Sequence, residues 1–265
     1  EIPLSDWSSD VCSSDLILQK EQPDIVLVHG DTTTSFASAL AAFYEKITIG
    51  HVEAGLRTWN KYSPFPEEAN RQMVDCLSEL FFAPTEKSAC NLRNEGKVQG
   101  IYVTGNTAID ALKLTVSKDY HHPILEEQKN NRILLLTAHR RENLGKPMED
   151  IFRAVKRVVN EYSDISVIYP IHMNPAIREI AERILSGHER IQIIEPLEVF
   201  DFHNFIAQSY LILTDSGGIQ EEAPALGKPV LVLRNTTERP EGVECGTLKL
   251  VGTNSEDIYV NIKLS

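Results

Sequence analysis

Cysteine is scarce in this chain of 265 residues, and the four present, Cys12, Cys76, Cys90 and Cys245, show no C-x-x-C spacing. This scarcity indicates neither a disulfide framework nor a cysteine-based zinc site, and it fits a reducing compartment. Long apolar runs are also missing, since none reaches the roughly 18 residues that a membrane-spanning helix needs. The acidic start of the chain is unlike the basic, apolar start of a signal peptide. We therefore predict a soluble, cytoplasmic protein.

Basic residues are outnumbered, because 26 Lys and Arg stand against 38 Asp and Glu and give a net charge of −12. Binding of nucleic acid needs a clustered basic face, and the sequence has no run of Lys or Arg, so nucleic acid is not expected as a partner. A small anion responds to local charge instead. The arginines that could provide such a local charge are Arg140, Arg141, Arg234 and Arg239.

The length exceeds one average domain of about 150 residues and suggests two. From Ile17 onward, short β-branched runs alternate with helical stretches, which predicts doubly wound parallel α/β sheets. The polar residues 118–131 are interpreted as a linker between an N-terminal Rossmann-like domain over 17–117 and a C-terminal one over 132–265. The two domains are expected to face a cleft, because parallel sheets bind ligands at the carboxyl ends of their strands. Residues 1–16 are Ser- and Asp-rich and look non-native or disordered.

The stretch from Tyr210 to Val232 is the most informative part of the sequence. A short apolar strand over 211–213 is followed by Asp215, Ser216, Gly217 and Gly218, and then by a helix. Glycines at this point let backbone N–H groups approach a phosphate, towards which the helix directs its positive end. Glu221 and Glu222, in the first helical turn, could accept hydrogen bonds from ribose hydroxyls. A glycine-capped turn without ligand is the alternative, whereas a nucleophilic Ser216 would need a G-x-S-x-G elbow that is missing.

Three acids follow predicted strands or open a helix: Asp31, Glu53 and Glu67. Carboxylates gathered in a cleft can separate into a base and an acid, because each perturbs the ionisation of the others. Purely structural roles remain open, namely a helix cap for Asp31, a surface turn for Glu53 and a favourable helix-dipole contact for Glu67.

Histidines and arginines at other strand ends could serve anion binding. His139 precedes Arg140 and Arg141, and Arg239 lies in a polar loop; the alternative for all of them is solvated surface charge. His29, His51, His139 and His172 have no strong metal-ligand spacing, so no metal is predicted.

These residues also carry a family resemblance. From about Pro23 to Asp257 the chain resembles the non-hydrolysing UDP-N-acetylglucosamine 2-epimerases of bacteria, through the segments VHGDTTT, GHVEAGLRT, PFPEEANR, VTGN, HRRE, YPIHMNP, LTDSGGIQEEAP and TTERPE. The resemblance implies the glycosyltransferase-B architecture, a homodimer, no cofactor, and interconversion of UDP-GlcNAc and UDP-ManNAc for polysaccharide biosynthesis.

The resemblance also implies roles for single residues, carried over by motif. The catalytic group comprises Asp31, Glu53, Glu67 and His139. The UDP-sugar contacts comprise Ser216, Gly217, Gly218, Glu222 on the ribose, Arg239, and Phe202 against the uracil. Arg140 and His172 resemble members of a second, activating nucleotide-sugar site.

Two departures from the family pattern are visible. The opening strand with its Gly-Thr-Arg-Pro-Glu turn is missing, and the chain stops after Ile258–Ser265, where the family continues. We therefore expect a fragment truncated at both ends, with weakened or no activity. The alternatives to the epimerase are a glycosyltransferase of the same architecture that uses a UDP-sugar, and a non-catalytic fragment that binds UDP-sugar.

Overall fold

The computed structural model describes residues 7–265. It contains two compact units, with the division between Asn106 and Thr107. Each unit has a parallel sheet combined with helices, so the predicted α/β class with two Rossmann-like domains is confirmed. Of the segment predicted to be non-native or disordered, residues 1–6 lie outside the described part, and residues 7–16 belong to a helix.

The first unit is built on a sheet whose strands pair in sequence order. The strands are β1 (Ile25–His29), β2 (Thr48–Val52), β3 (Leu80–Ala83) and β4 (Ile101–Val103). The helices are α1 (Trp7–Glu21), α2 (Thr33–Tyr44), α3 (Glu67–Leu77) and α4 (Glu86–Asn94). Because crossovers between parallel strands are right-handed, a sheet that grows in one direction carries its connecting helices on one face.

Helix α2 shows how the local sequence positions the end of β1. Thr32 caps it, with its Oγ1 accepting a hydrogen bond of 3.1 Å from the backbone N–H of Ser35. Its alanines allow close packing, and Ala39 and Ala42 are fully buried against Val28 and Ile49 of the sheet. The turn between β1 and α2 is therefore held at both ends.

The second unit contains the larger sheet. Its strands are β5 (Arg132–Thr137), β6 (Ile165–Pro170), β7 (Ile191–Ile194), β8 (Leu211–Thr214), β9 (Val230–Val232) and β10 (Leu248–Leu250), in the order β10-β9-β8-β5-β6-β7. Its helices are α5 (Thr107–Thr115), α6 (Pro123–Glu127), α7 (Lys146–Glu161), α8 (Pro175–Leu185), α9 (Val199–Gln208), α10 (Ile219–Ala225), α11 (Pro240–Glu244) and α12 (Ser255–Leu264), with a 3₁₀ turn at Arg141–Asn143. The strand order reverses between β5 and β8, and ligands of open α/β sheets bind at such a reversal.

The segment predicted as a linker, residues 118–131, belongs to the second unit together with α5. Asn204 of α9 ties this region down, because its amide donates to the Thr115 carbonyl at 2.8 Å and accepts from the Ser117 N–H at 2.9 Å. Strand β10 has no counterpart in the sequence-based prediction, since three residues with only one fully buried side chain give no clear period. Within residues 7–265 no helix combines the length and apolar character needed to cross a bilayer.

Candidate functional site

The predicted acids of the first unit lie where strands β1 and β2 end. His29 of β1 pairs with Val52 of β2, so Asp31 and Glu53 emerge from neighbouring strands at the same edge of the sheet. Helix α3 starts with Glu67. Asp31 and Glu53 are mostly buried, with side chains 27% and 20% exposed.

Asp31 does not act as the cap of α2, a role that falls to Thr32. Its carboxylate instead pairs with the guanidinium of Arg71, which is 3% exposed. Its backbone carbonyl accepts a hydrogen bond of 2.9 Å from the Asn70 amide. Helix α3 therefore holds the turn at Asp31 through contacts with both the side chain and the backbone carbonyl of Asp31.

Glu53 adopts a left-handed backbone conformation, with φ of +70°. This conformation costs a residue with a side chain roughly 1–2 kcal/mol, and such strain concentrates at functional sites. The N–H groups of Glu53 and Ala54 both donate to the Phe82 carbonyl of β3, at 3.0 and 3.1 Å, which holds the turn in place. The Glu53 carboxylate lies 3.9 Å from Nε2 of His29.

Glu67 and Glu68 are adjacent but differ in their hydrogen bonding. Glu68 is fully buried and saturated, since its carboxylate accepts from the backbone N–H groups of Thr58 and Trp59, both at 3.0 Å. Oε2 of Glu67 is buried and has no hydrogen-bond partner among the side chains and backbone that the structure describes. Glu68 thus shapes the loop before α3, whereas Glu67 has an oxygen that no described group contacts by a hydrogen bond.

Sequence reasoning missed the buried ionic groups beneath these acids: Arg57, Asp75 and Glu95, together with His51. His51 was considered only as a metal ligand. The position of His51, two residues before Glu53, could have marked it as a residue near the site. Its partner Asp75 on α3 could not have been found in this way, because no local sequence pattern distinguishes it. Among residues 7–265 no group of three or more His, Cys, Asp or Glu side chains is arranged to hold a metal ion.

In the second unit, Asp215 organises the reversal point of the sheet. Its fully buried carboxylate accepts hydrogen bonds from the backbone N–H groups of His139 and Arg140, at 3.0 and 2.9 Å. It also accepts one of 2.9 Å from the amide of Asn143, which in turn donates to the Leu233 carbonyl at 3.2 Å. One side chain at the end of β8 therefore fixes the loop after β5 and is linked through Asn143 to the loop after β9.

The predicted phosphate turn follows directly. Gly217 lies so close to its neighbours that a Cβ there would be 2.6 Å from Oε1 of Glu238 and 2.9 Å from Nη1 of Arg239. Gly218 is less confined, with Oε1 of Glu222 at 3.6 Å from such a Cβ. The carbonyl of Ser216 accepts a hydrogen bond of 3.0 Å from the Gln220 amide, which stabilises the start of α10.

The arginines around this turn are held by carboxylates. Arg239 pairs with Glu221 and, at 2.7 Å, with Glu238. Arg234, one of the four arginines expected to supply local charge, is 2% exposed and pairs with Glu238 at 3.0 Å. Burial in the core between β9 and the loop after it makes Arg234 a structural ion-pair partner.

Glu222 occupies the first turn of α10, as predicted. Burial raises the pKa of its carboxyl group, the neighbouring Glu221 adds to this effect, and Arg239 opposes it. His203 of α9 lies 3.8 Å away from it and is itself buried, and burial lowers the pKa of this histidine. Phe202, the predicted uracil contact, is partly buried and packs against the cluster that contains Ile219 of α10.

His139 and His172, predicted as catalytic and allosteric residues, lie in contact. Their rings stack with centroids 5.5 Å apart. Burial lowers the pKa of His139, and His172 and Arg140 lower it further against the opposing charge of Asp215. Arg140 donates from Nε to the Asp215 carbonyl at 3.3 Å, and its Nη2 approaches Gly217. The structure therefore places Arg140 beside the phosphate turn and His172 against His139.

Comparison with known proteins gives one consistent result. A family model described as UDP-N-acetylglucosamine 2-epimerase matches residues 7–265. The UDP-N-acetylglucosamine 2-epimerase of Bacillus subtilis (strain 168) is 62% identical over 246 residues, which cover 92% of this chain and 65% of that protein. The chain thus spans about two thirds of the length of the relatives that it matches.

Solved structures agree. The crystal structure of a putative UDP-N-acetylglucosamine 2-epimerase from Listeria monocytogenes superposes with a TM-score of 0.95 at 60% identity, covering 97% of this chain and 68% of that one. The enzyme from Neisseria meningitidis, solved bound to UDP-GlcNAc, superposes with a TM-score of 0.92 at 46% identity, covering 97% and 72%. The chain belongs to the UDP-N-acetylglucosamine 2-epimerase family.

Proposed function

We propose that this protein interconverts UDP-GlcNAc and UDP-ManNAc. The observation that carries the proposal is the set of acids at one edge of the first sheet, Asp31, Glu53 and Glu67, together with a glycine turn at the strand-order reversal of the second sheet. A relative at 46% identity was solved with UDP-GlcNAc bound, which supports this choice of substrate.

The reaction inverts the sugar at C2, whose proton is too weakly acidic to be removed alone. A carboxylate takes this proton while the C1–O bond to UDP breaks in an anti elimination, so that a C1=C2 double bond forms. The products of this step are 2-acetamidoglucal and UDP. UDP then adds back to C1, and a carboxylic acid returns a proton to the opposite face of C2. General acid–base catalysis of this kind contributes typically 10²–10⁴-fold in rate.

We assign the proton transfers to the three acids of the first unit. Glu67 is suited to carry a proton, because its buried Oε2 has no hydrogen-bond partner among the described residues. Asp31 is paired with Arg71, which compensates its charge. Glu53 is held in a strained turn that fixes the direction of its carboxylate. These different surroundings are the basis on which we assign different roles in proton transfer to the three acids.

The nucleotide is assigned to the second unit. Departure of UDP builds negative charge on the diphosphate, and donors fixed in advance stabilise such charge without reorganisation. We assign this task to the turn Ser216–Gly218 at the start of α10 and to Arg239. Glu222 is assigned to the ribose hydroxyls and Phe202 to the base. His139 beside this turn completes the proposed site.

The family resemblance further leads us to propose a homodimer and a regulatory nucleotide-sugar site that includes Arg140 and His172. The stacking of His172 on His139 would transmit occupancy of that site directly to a proposed catalytic residue. Light scattering coupled to size-exclusion chromatography tests the dimer, and activation at rising UDP-GlcNAc concentration tests the regulatory site.

Proton NMR of UDP-GlcNAc with the protein in D₂O tests the proposed reaction. Loss of the C2 proton signal together with the appearance of UDP-ManNAc is the expected result. A glycosyltransferase would leave the C2 proton in place and release UDP only with an acceptor. Unchanged substrate at concentrations where UDP-GlcNAc binds would contradict the proposal for this chain and indicate a binding protein.

A further inference from the structure

A buried ionic chain lies beneath the acids of the first unit. Nδ1 of His51 is 2.6 Å from Oδ1 of Asp75, and both side chains are fully buried. Oδ2 of Asp75 accepts from Nη2 of Arg57 at 2.6 Å. Arg57 in turn donates to Glu95 from Nε and Nη2, at 2.6 and 2.8 Å. Strand β2, helix α3 and helix α4 are joined through these four side chains.

The hydrogen bonds define the protonation state of His51. Its Nε2 is 2.8 Å from the Gly30 carbonyl oxygen, which can only accept, so Nε2 carries a proton. Burial by itself would raise the pKa of Asp75, but the hydrogen bonds and charges of His51 and Arg57 outweigh burial and lower it. The geometry points the same way, because Oδ2 of Asp75 accepts from the Arg57 guanidinium at 2.6 Å and from the Gly55 N–H at 3.2 Å. Asp75 is therefore a carboxylate, which only accepts, so Nδ1 of His51 donates to it. A ring with both nitrogens protonated is an imidazolium.

The charges of the four side chains in this ionic chain balance. Two cations, His51 and Arg57, face two anions, Asp75 and Glu95. Removal of one member of a buried pair leaves an uncompensated charge, whereas a well-packed apolar replacement of the whole pair is often neutral or stabilising. Stability alone thus does not call for an ionic chain at this place.

The ionic chain contacts the backbone beside the predicted catalytic acids, at the Gly30 carbonyl. Gly30 precedes Asp31 and has φ of +71°, and a Cβ on it would lie 3.4 Å from Oε2 of Glu53. The Glu53 carboxylate thus lies close to the Gly30 backbone. His51 lies on β2, two residues before Glu53, and its Nε2 donates to the Gly30 carbonyl. Through Asp75 it is also attached to α3, the helix that begins at Glu67.

We propose that His51 is a positioning residue, whose imidazolium fixes the Gly30 carbonyl and thereby the spacing of the Asp31 and Glu53 carboxylates for proton transfer at C2. The expected effect on kcat rests on the proposed epimerase function. The expected effect on the positions of Asp31 and Glu53 does not. A displacement of about 1 Å in a catalytic group can lower a rate by about a hundredfold.

The protonation state is tested without any substrate. In a ¹⁵N-histidine-labelled sample at pH 7, both ring nitrogens of His51 should give the signals of protonated nitrogens. In Asp75→Asn the ring should become neutral and keep its proton on Nε2, because the amide can donate to Nδ1 and no longer balances a charge. A neutral ring in the unmodified protein would overturn the proposal.

The positioning role is tested by His51→Phe, which keeps a ring of similar size and removes both donors. We expect kcat for C2 proton exchange to fall about a hundredfold, with KM and the affinity for UDP within twofold, since the nucleotide is assigned to the second unit. Glu95→Gln is the matched control: it changes the same ionic chain at its other end, where the side chain is 25% exposed, without touching His51. A folded His51→Phe variant with unchanged kcat would overturn the proposal.

Two further readouts decide the remaining cases. If His51→Phe does not fold, Asp75→Asn decides, because it keeps a bond to each ring nitrogen; reduced kcat supports the proposal and unchanged kcat overturns it. If the unmodified chain shows no C2 exchange, the proposed function fails, and the backbone amide signals of Asp31 and Glu53 decide the structural claim. They should shift in Asp75→Asn and stay in place in Glu95→Gln; signals unmoved in both variants would overturn it.

Discussion

The imidazole rings of His139 and His172 lie nearly parallel, with planes 7° apart and centroids at 5.5 Å. Nδ1 of His172 accepts a hydrogen bond of 3.1 Å from the backbone N–H of Asn174. The turn before α8 therefore orients the ring that stacks on His139. A residue grouped with a regulatory site by resemblance controls the surroundings of a proposed catalytic one.

Removal of His172 should raise the pKa of His139. His172→Ala admits water to the His139 ring, relieving the burial that is the main cause of its low pKa, and also removes a group whose charge opposes protonation. An NMR titration of the His139 ring measures this directly, with His121→Ala as a control at an exposed position. Because a histidine with a depressed pKa in the folded state destabilises the protein as pH falls through about 6.5, the variant should also lose less stability at acidic pH.

Neutralisation of the acids should slow proton transfer and leave the affinity for the nucleotide nearly unchanged. We expect Asp31→Asn, Glu53→Gln and Glu67→Gln each to lower C2 proton exchange by about 10²–10⁴-fold. The affinity for UDP, measured by calorimetry, should stay within about threefold. Glu86→Gln, at a 78% exposed position on α4, controls for the loss of a charge. Wild-type exchange in any of the three variants would remove that residue from the mechanism.

Asp215→Asn should destabilise the second unit and weaken UDP binding. All three groups that contact the carboxylate through short bonds are donors, so an amide NH₂ would face another donor. The loss should amount to about 2–3 kcal/mol, as for a buried group left with an unsatisfied bond. Urea unfolding measures it. Asp164→Asn, which removes a 57% exposed partner of Arg132, should change stability by less than about 1 kcal/mol.

The two glycines of the phosphate turn should differ in their tolerance of a methyl group. Gly217→Ala places a Cβ at 2.6 Å from Oε1 of Glu238, a carboxylate whose two oxygens are each paired with a buried arginine, so a cost of about 1–3 kcal/mol is expected. Gly218→Ala makes only an ordinary contact and has helical φ and ψ, so it should be neutral or slightly stabilising. Thermal unfolding of both variants provides the comparison, and equal stabilities would contradict it.

Glu222→Gln should increase the stability of the protein at pH 7 and weaken its binding of UDP. A carboxyl group whose pKa is raised on folding opposes the folded state as pH rises above 4.5, so the variant should be more stable than the parent at pH 7 and lose this advantage in acid. The affinity for UDP should fall by about 1.5–3 kcal/mol, because the ribose hydroxyls lose a charged acceptor. Glu256→Gln, at a 64% exposed position, is the control for both measurements. Tighter UDP binding by Glu222→Gln would exclude Glu222 as the ribose contact.

A short apolar strand that is buried on both faces was predictable because its signal is local. Strand β8 extends the strand predicted over 211–213 by one residue, and all four of its residues are buried. The start of α3 at Glu67 was visible because two acids follow a proline. The strand-end positions of Asp31 and Glu53 followed from the same local pattern. In each case a few neighbouring residues decide the outcome.

The sequence by itself determined the α/β class, the strand ends, the glycine turn and the family. Only the tertiary structure decided which side chains meet across those elements. The contacts of His51 with Asp75, of Asp215 with the loop after β5, and of His139 with His172 join residues 24, 76 and 33 positions apart. Such pairs leave no periodic pattern, because their meeting depends on strand order and helix packing. The hydrogen bonds of both ring nitrogens of His51 and the low pKa of His139 arise from these contacts and could not be predicted from local sequence.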